Sequence, residues 1–236
     1  MAIEKDPHKE EHLGSSLFIT DIVIGLSDGL TVPFALAAGL SGALQSNSVV
    51  LTAGIAEIVA GSIAMGLGGY LAGKTAQEHF QSELKREYDE IETIPEEEKK
   101  EVKVVFAEYG LNEHIQNIIA EELSKDKDKW VDFMMKYELG LEKPDINRAR
   151  NSAATIGISY IVGGLIPLSA YFFTRTPFEG LISSALLTIA CLFFFGFFKS
   201  KATGQPPVKG ALKVTVIGIL AAAAAFFVAK AFNNLF

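Results

Sequence analysis

Apolar residues in this 236-residue chain fall into five long blocks, unlike the short alternations of a soluble fold. A helix crossing a bilayer needs about 20 mostly apolar residues. Five segments reach that length: residues 17–40, 49–73, 152–173, 178–198 and 211–229. The third and fourth, SAATIGISYIVGGLIPLSAYFF and GLISSALLTIACLFFFGFF, carry no charge. The fifth is short and alanine-rich, with Lys213 and Lys230 able to snorkel from its ends. The first two are interrupted only by acids. Turns such as SGALQSNS and TRTPFE are short, so consecutive spans run antiparallel.

The polar block between the second and third spans also has a helical pattern, and no β-pattern occurs anywhere. KTAQEHFQSELKREYDEIE contains neither Pro nor Gly, so the second span is expected to run on as one helix to about residue 92. At about 1.5 Å per residue that helix is roughly 65 Å long, twice the bilayer core. Pro95 breaks it. Thr93 followed by Glu96 has the spacing of a capping box for the next helix, which Gly110 ends as a C′ residue. Asn112 is placed to cap a third helix, in which Ile115, Ile118, Ile119 and Leu123 recur at helical spacing. Residues 130–139 form a fourth short amphipathic segment. The expected fold is an all-α membrane protein of five transmembrane helices, with a helical domain inserted between spans 2 and 3. Its parts are an N-terminal tail 1–16, spans 1–2 at 17–73, the inserted domain at 74–150, and spans 3–5 at 151–236.

Charge sharpens this picture. Residues 13–73 hold no Lys or Arg, and their only acids are Asp21, Asp28 and Glu57. The net charge of −7 is that of residues 74–150, which hold 20 acids and 13 bases. An acidic insert argues against nucleic acid and toward cations. The basic residues that orient spans are Lys5 and Lys9 in the tail, the bases of the insert, and Lys199, Lys201, Lys209 and Lys213 between spans 4 and 5. Five spans put all of these on one side, which predicts a cytosolic N-terminus and insert and a C-terminus on the far side. MAIEKDPHKEEHLG has no short apolar core, so no cleavable signal peptide is expected. Cys191 is the single cysteine and forms no intrachain disulfide.

Carboxylates inside spans are the first candidate chemistry. A charge at the centre of a span costs about 2.5–3.5 kcal/mol on insertion scales, so such residues face a bundle interior or an aqueous path. Asp28 lies mid-span; Asp21, seven residues earlier on nearly the same face, lies closer to the cytosolic end and is left between a mouth residue and a structural one. Pro33 frees a carbonyl and invites a kink. The second span has Glu57 and, eight residues on, Met65. Ala56, Ala60, Ala64 and Gly68 recur every four residues around them, a spacing that lets another helix approach closely. Carboxylates with a thioether suit a divalent first-row metal, and the same carboxylates can carry protons.

In the insert, Glu87–Glu90 and Glu98–Glu101 are two ExxE pairs on consecutive helices, each pair on one helical face. A hairpin near Pro95 brings all four together, as facing helices do in di-iron proteins. Met134 and Glu138 add a thioether and a carboxylate four residues apart. Spacing alone leaves this open against the ordinary reading of Glu-rich helices as solvated faces with ion pairs. His8, His12, His79 and His114 share no spacing and are read as surface residues, with His79 a weak candidate for proton or metal contact. LFFFGFF is lipid-facing or packing surface. No nucleotide loop, nucleophile elbow or cysteine cluster is present, so nothing suggests an ATP-driven pump.

TDIVIGLSDGLTVPFALAAGLSGA, then AGIAEIVAGSIAMGLGGYLAGKT, then the Glu-rich insert and three further spans together resemble the plant vacuolar iron transporters. The resemblance covers nearly the whole chain. It implies a homodimer of five-span protomers in the vacuolar membrane, with a path along the dimer interface. The implied activity is secondary active transport rather than enzymatic catalysis: Fe²⁺ and related divalent ions move from cytosol to vacuole in exchange for protons. No permanent cofactor is implied; Fe²⁺ is the cargo, and the partners are metal ions, protons, the lipid bilayer and a second copy of the chain, with no nucleic acid. Asp28, Glu57 and Met65 match the family's membrane path. Glu87, Glu90, Glu98, Glu101, Met134, Met135 and Glu138 match the ligands of its cytosolic domain. Two alternatives are a divalent cation channel without proton coupling and a membrane-anchored di-iron ferroxidase; the insert's lack of a Glu-x-x-His motif argues against the second.

Overall fold

The computed structural model describes residues 17–43 and 46–233. The N-terminal tail, with His8, His12, Lys5 and Lys9, lies outside them. Among the described residues eight α-helices follow in order: α1 Leu17–Ala43, α2 Asn47–Thr93, α3 Pro95–Glu108, α4 Glu113–Leu123, α5 Lys127–Phe133, α6 Arg148–Ser169, α7 Pro177–Ala202 and α8 Pro207–Asn233. There is no strand among the described residues. α1, α2, α6 with its 3₁₀ extension, α7 and α8 are each long and apolar enough to cross a membrane. The protein is an all-α membrane protein with five transmembrane helices. Helices satisfy every backbone donor and acceptor internally, which is the condition for crossing hydrocarbon.

The chain forms two compact units, Met1–Tyr70 with Arg150–Phe236, and Leu71–Ala149. The 47-residue α2 belongs to both and runs unbroken, about 70 Å at its ordinary rise.

In the first unit α1 continues through Pro33. It meets α6 backbone to backbone. A Cβ on Gly25 would lie 2.3 Å from the Ile156 carbonyl oxygen, and one on Gly29 would lie 2.3 Å from that of Tyr160. Only glycine permits that approach, the small-residue logic of membrane helix packing. Gly61 of α2 leaves room for the Tyr160 ring in the same way. Ala37, Val50, Ile58, Leu168 and Tyr171 form a core where α1, α2 and α6 meet, and Phe34, Ala38 and Ala222 form another against α8. The Tyr171 hydroxyl pairs with the Ser41 hydroxyl at 2.9 Å, and the Asn47 amide donates to the Thr174 carbonyl at 2.7 Å. α7 starts at Pro177 with Thr176 as N-cap, accepting from the Glu179 N–H.

The small residues of α2 divide between two faces. Gly61, Gly66 and Gly69 abut α6, whereas Ala56, Ala60, Ala64 and Gly68 are exposed, and a Cβ on Gly68 would meet nothing within 4 Å.

The second unit has its own core of Phe80, Ile91, Val102, Ala120, Trp130, Val131, Met134 and Met135. Asn112 caps α4, its side chain accepting from the Ile115 N–H at 3.1 Å. Gly110, at φ +78°, closes α3: Leu111 N–H reaches the Phe106 carbonyl and Gly110 N–H that of Ala107, a Schellman ending. The capping box expected at Thr93 is absent. Thr93 is still helical in α2, and its hydroxyl turns back to the Asp89 carbonyl at 2.8 Å. Ile94 takes the cap position without a side-chain bond. Pro95 at the first helical position needs no donor there, and Glu96, Glu97 and Glu98 in the first turn complement the helix dipole. The segment after α5 also differs from a plain helix. Met134–Glu138 is a π-helical turn, in which Leu139 N–H reaches the Met134 carbonyl five residues back.

Candidate metal sites

The break at Ile94 folds α3 back on the end of α2, which brings three of the four ExxE carboxylates together and leaves Glu101 outside the converging group. Carboxylate oxygens of Glu87, Glu90 and Glu98 lie within 4.8 Å of one another. Glu87 and Glu98 are each only 2% exposed, and the Oε2 atom of each is enclosed without a hydrogen-bond partner. Buried carboxylate oxygens are costly unless paired, so two of them in one group are suited to hold a cation or protons.

Burial, and then the charges of Glu101 and Glu87, push Glu98 up to about 7. Burial and the Glu90 charge raise Glu87 as well. Glu138 is pushed up to about 7 by desolvation and by the charges of Glu101 and Glu87, with a side-chain hydrogen bond to Glu101 adding to the effect. The residue is exposed and sits at the rim of the acidic group. Glu101, Glu108, Tyr137 and Glu138 line an open cleft of about 300 Å³. Met134 and Met135 are buried in the apolar core on the turn that ends at Glu138. His79 is exposed, with Nδ1 3.8 Å from Glu83, and His114 is exposed. The Arg86 guanidinium faces the carboxylates directly and reaches Glu83, Glu87 and Glu90. This arginine carries no distinguishing sequence signal, because an Arg in a Glu-rich helix is ordinary.

In the first unit Asp28 of α1 and Glu57 and Met65 of α2 are all half-buried. Tyr160 of α6, 2% exposed, donates its hydroxyl to Glu57 Oε1, while Glu57 Oε2 is enclosed with no partner. Asp28 immediately precedes the glycine that packs on the Tyr160 backbone, so α6 lies against both carboxylate-bearing helices. Tyr160 was not among the residues singled out from the sequence, where its span was noted only as carrying no charge. A tyrosine flanked by small residues in SYIVGG was the available signal. Asp21 is buried, 2% exposed, more completely than Asp28.

A sequence model of the VIT family matches residues 19–230. The chain belongs to the VIT family. It is 50% identical over 228 residues to vacuolar iron transporter 1 of Tulipa gesneriana, covering 97% of this chain and 92% of the relative. It is 53% identical over 223 residues to the vacuolar iron transporter of Centaurea cyanus, covering 94% and 91%. Protein CCC1 of Saccharomyces cerevisiae is 40% identical over 223 residues, 89% of this chain and 68% of the yeast protein. The VIT match takes in both compact units and all five membrane helices, so the likeness covers both carboxylate groups.

Proposed function

We propose that this VIT-family chain carries Fe²⁺, and related divalent first-row metals, from the cytosol into the vacuole in exchange for protons. Half-identity to proteins named vacuolar iron transporters supports the cargo and the compartment. The observation that carries the mechanism is the Glu57 carboxylate, with one oxygen held by Tyr160 and the other enclosed without a partner inside a membrane helix. Such an oxygen takes either a metal ion or a proton, and those are the two things an antiporter exchanges.

The unit Leu71–Ala149 captures metal on the cytosolic side through Glu87, Glu90, Glu98 and Glu101, with Glu138, Met134 and Met135 on the adjoining turn. Met65, Glu57 and Asp28 then pass the ion through the membrane. Acid on the vacuolar side protonates the carboxylates, weakening their hold and releasing metal. The N-terminus and the inserted unit are cytosolic, and the C-terminus is lumenal. Uptake of Fe²⁺ into proteoliposomes under anaerobic conditions is expected only with an acidic interior. Equal uptake with and without the pH gradient at fixed voltage would make the protein a channel. Oxygen consumption coupled to Fe²⁺ would make it a ferroxidase.

The working unit is a homodimer with the path along the interface. Its support is the row Ala56, Ala60, Ala64 and Gly68 on α2, beside Glu57 and Met65 and left exposed among the described residues. A Gly68→Cys substitution in a Cys191→Ser background is expected to give a disulfide-linked dimer under mild oxidation in membranes. Absence of cross-linking at Gly68→Cys and likewise at Ala64→Cys would remove that face from the interface.

A further inference from the structure

Arg86 occupies an unusual place for a surface arginine. Its Nη2 lies 2.8 Å from Glu83 and 3.7 Å from Glu87, and its Nε lies 3.4 Å from Glu90. Two of these three acceptors belong to the group of carboxylates that converge within 4.8 Å, and the third, Glu83, does not. The guanidinium is half exposed, whereas Glu87 is 2% exposed, so the positive charge covers the group from its solvent side.

We infer that Arg86 is the resident counter-cation of the metal-capture site, which an arriving divalent ion must displace, with Glu83 as the acceptor that holds the arginine once displaced. The inference rests on the reading of Glu87, Glu90 and Glu98 as metal ligands. Its physical basis is charge. A fixed positive group beside a cation site repels any second cation, so it lowers affinity. The guanidinium, facing Glu87 and Glu90 at 3.7 and 3.4 Å, also neutralises part of the negative charge that attracts the metal. Its shortest contact, to Glu83, lies outside the converging group, so it survives when Glu87 and Glu90 turn to the metal.

The consequence is selectivity by charge. A monovalent ion replacing the guanidinium adds no net charge to the site, whereas a divalent ion adds one unit. Arg86 therefore raises the threshold for K⁺ and Na⁺ and keeps divalent binding weak enough for the ion to leave again. A residue holding the site together by ordinary packing would have the opposite effect on removal.

The test is calorimetric titration of the full chain in detergent with Co²⁺ alone. Arg86→Gln is expected to tighten Co²⁺ binding by about tenfold, the effect of removing one adjacent like charge. Arg86→Lys keeps the charge without the planar fork and is expected to change affinity less. Glu83→Gln removes the alternative acceptor, so it weakens Co²⁺ binding in the parent and has no effect in the Arg86→Gln background. That coupling is the signature of displacement. Unchanged or weaker binding in both Arg86→Gln and Arg86→Met overturns the inference, as does an equal Glu83→Gln effect in both backgrounds. Glu98→Gln separates the two readings. If it leaves Co²⁺ binding intact, the ligand assignment itself fails; if it weakens binding while the arginine variants do not tighten it, only the role of Arg86 fails.

Discussion

An Asp28→Ala chain is expected to lose Fe²⁺ uptake into acid-loaded proteoliposomes by about 100-fold or more, the scale of removing one partner from a buried charged interaction. Asp28 lies within α1, next to the glycine contact that seats α1 on Tyr160. Its charge costs about 2.5–3.5 kcal/mol to insert at mid-span, so removing it relieves membrane insertion. Expression and assembly should therefore hold or improve while transport collapses. Metal binding by the unit Leu71–Ala149 should stay at its parental affinity, which separates a damaged path from a misfolded protein. Uptake at the parental rate by Asp28→Ala would exclude this carboxylate from the path.

Glu98→Gln should act in two opposite directions on the unit Leu71–Ala149. A carboxylate held at about 7 in the folded chain, against an ordinary value of 4.5, binds more protons folded than unfolded. Its ionisation therefore lowers stability as pH rises from about 4.5 through about 7, and the whole penalty is present at pH 8. For the buried Glu98 this is on the order of 3 kcal/mol. Glutamine removes the charge and keeps the shape, so the metal-free variant should unfold later than the parent at pH 8 and nearly together with it at pH 5. Metal reverses the order. An ion that binds only the folded state at about 100 times its dissociation constant adds about 2.7 kcal/mol. The parent should gain this, and Glu98→Gln should lose most of it, because losing a ligand costs at least the 10–100-fold known for supporting groups. Protons compete for the same oxygens, so parental metal affinity should rise with pH through about 7. Trp130 is the chain's one tryptophan and is 3% exposed in this unit's core, so its fluorescence reads the transition. A metal-free Glu98→Gln chain that unfolds earlier than the parent at pH 8 would contradict the raised pKa.

The five membrane helices, the unbroken α2, the break at Pro95, the Asn112 cap and the Gly110 ending were legible because each depends on neighbours within a few residues. Hydropathy over about 20 residues, the missing donor of proline and the left-handed glycine all act locally. The chemistry of the candidate sites was legible as residue types and spacings, since carboxylates in a span and ExxE pairs on a helix are visible in one dimension.

Contacts across the chain were not. Thr93 had the spacing of a capping box, yet its position inside α2 sent its hydroxyl to the Asp89 carbonyl. Tyr160 reaches Glu57 across 103 residues. Nothing in the pattern of α2 shows that Gly61 faces this tyrosine while Gly68 faces away. Glu87 and Glu98 become buried only when α3 folds back on α2, and that burial raises their proton affinity. The sequence by itself determined the helices and placed acids on their faces, because period and hydropathy are local. Tertiary structure decided which acids are enclosed, which oxygens are without partners and which cation stands over them, because desolvation and charge depend on what packs against a group.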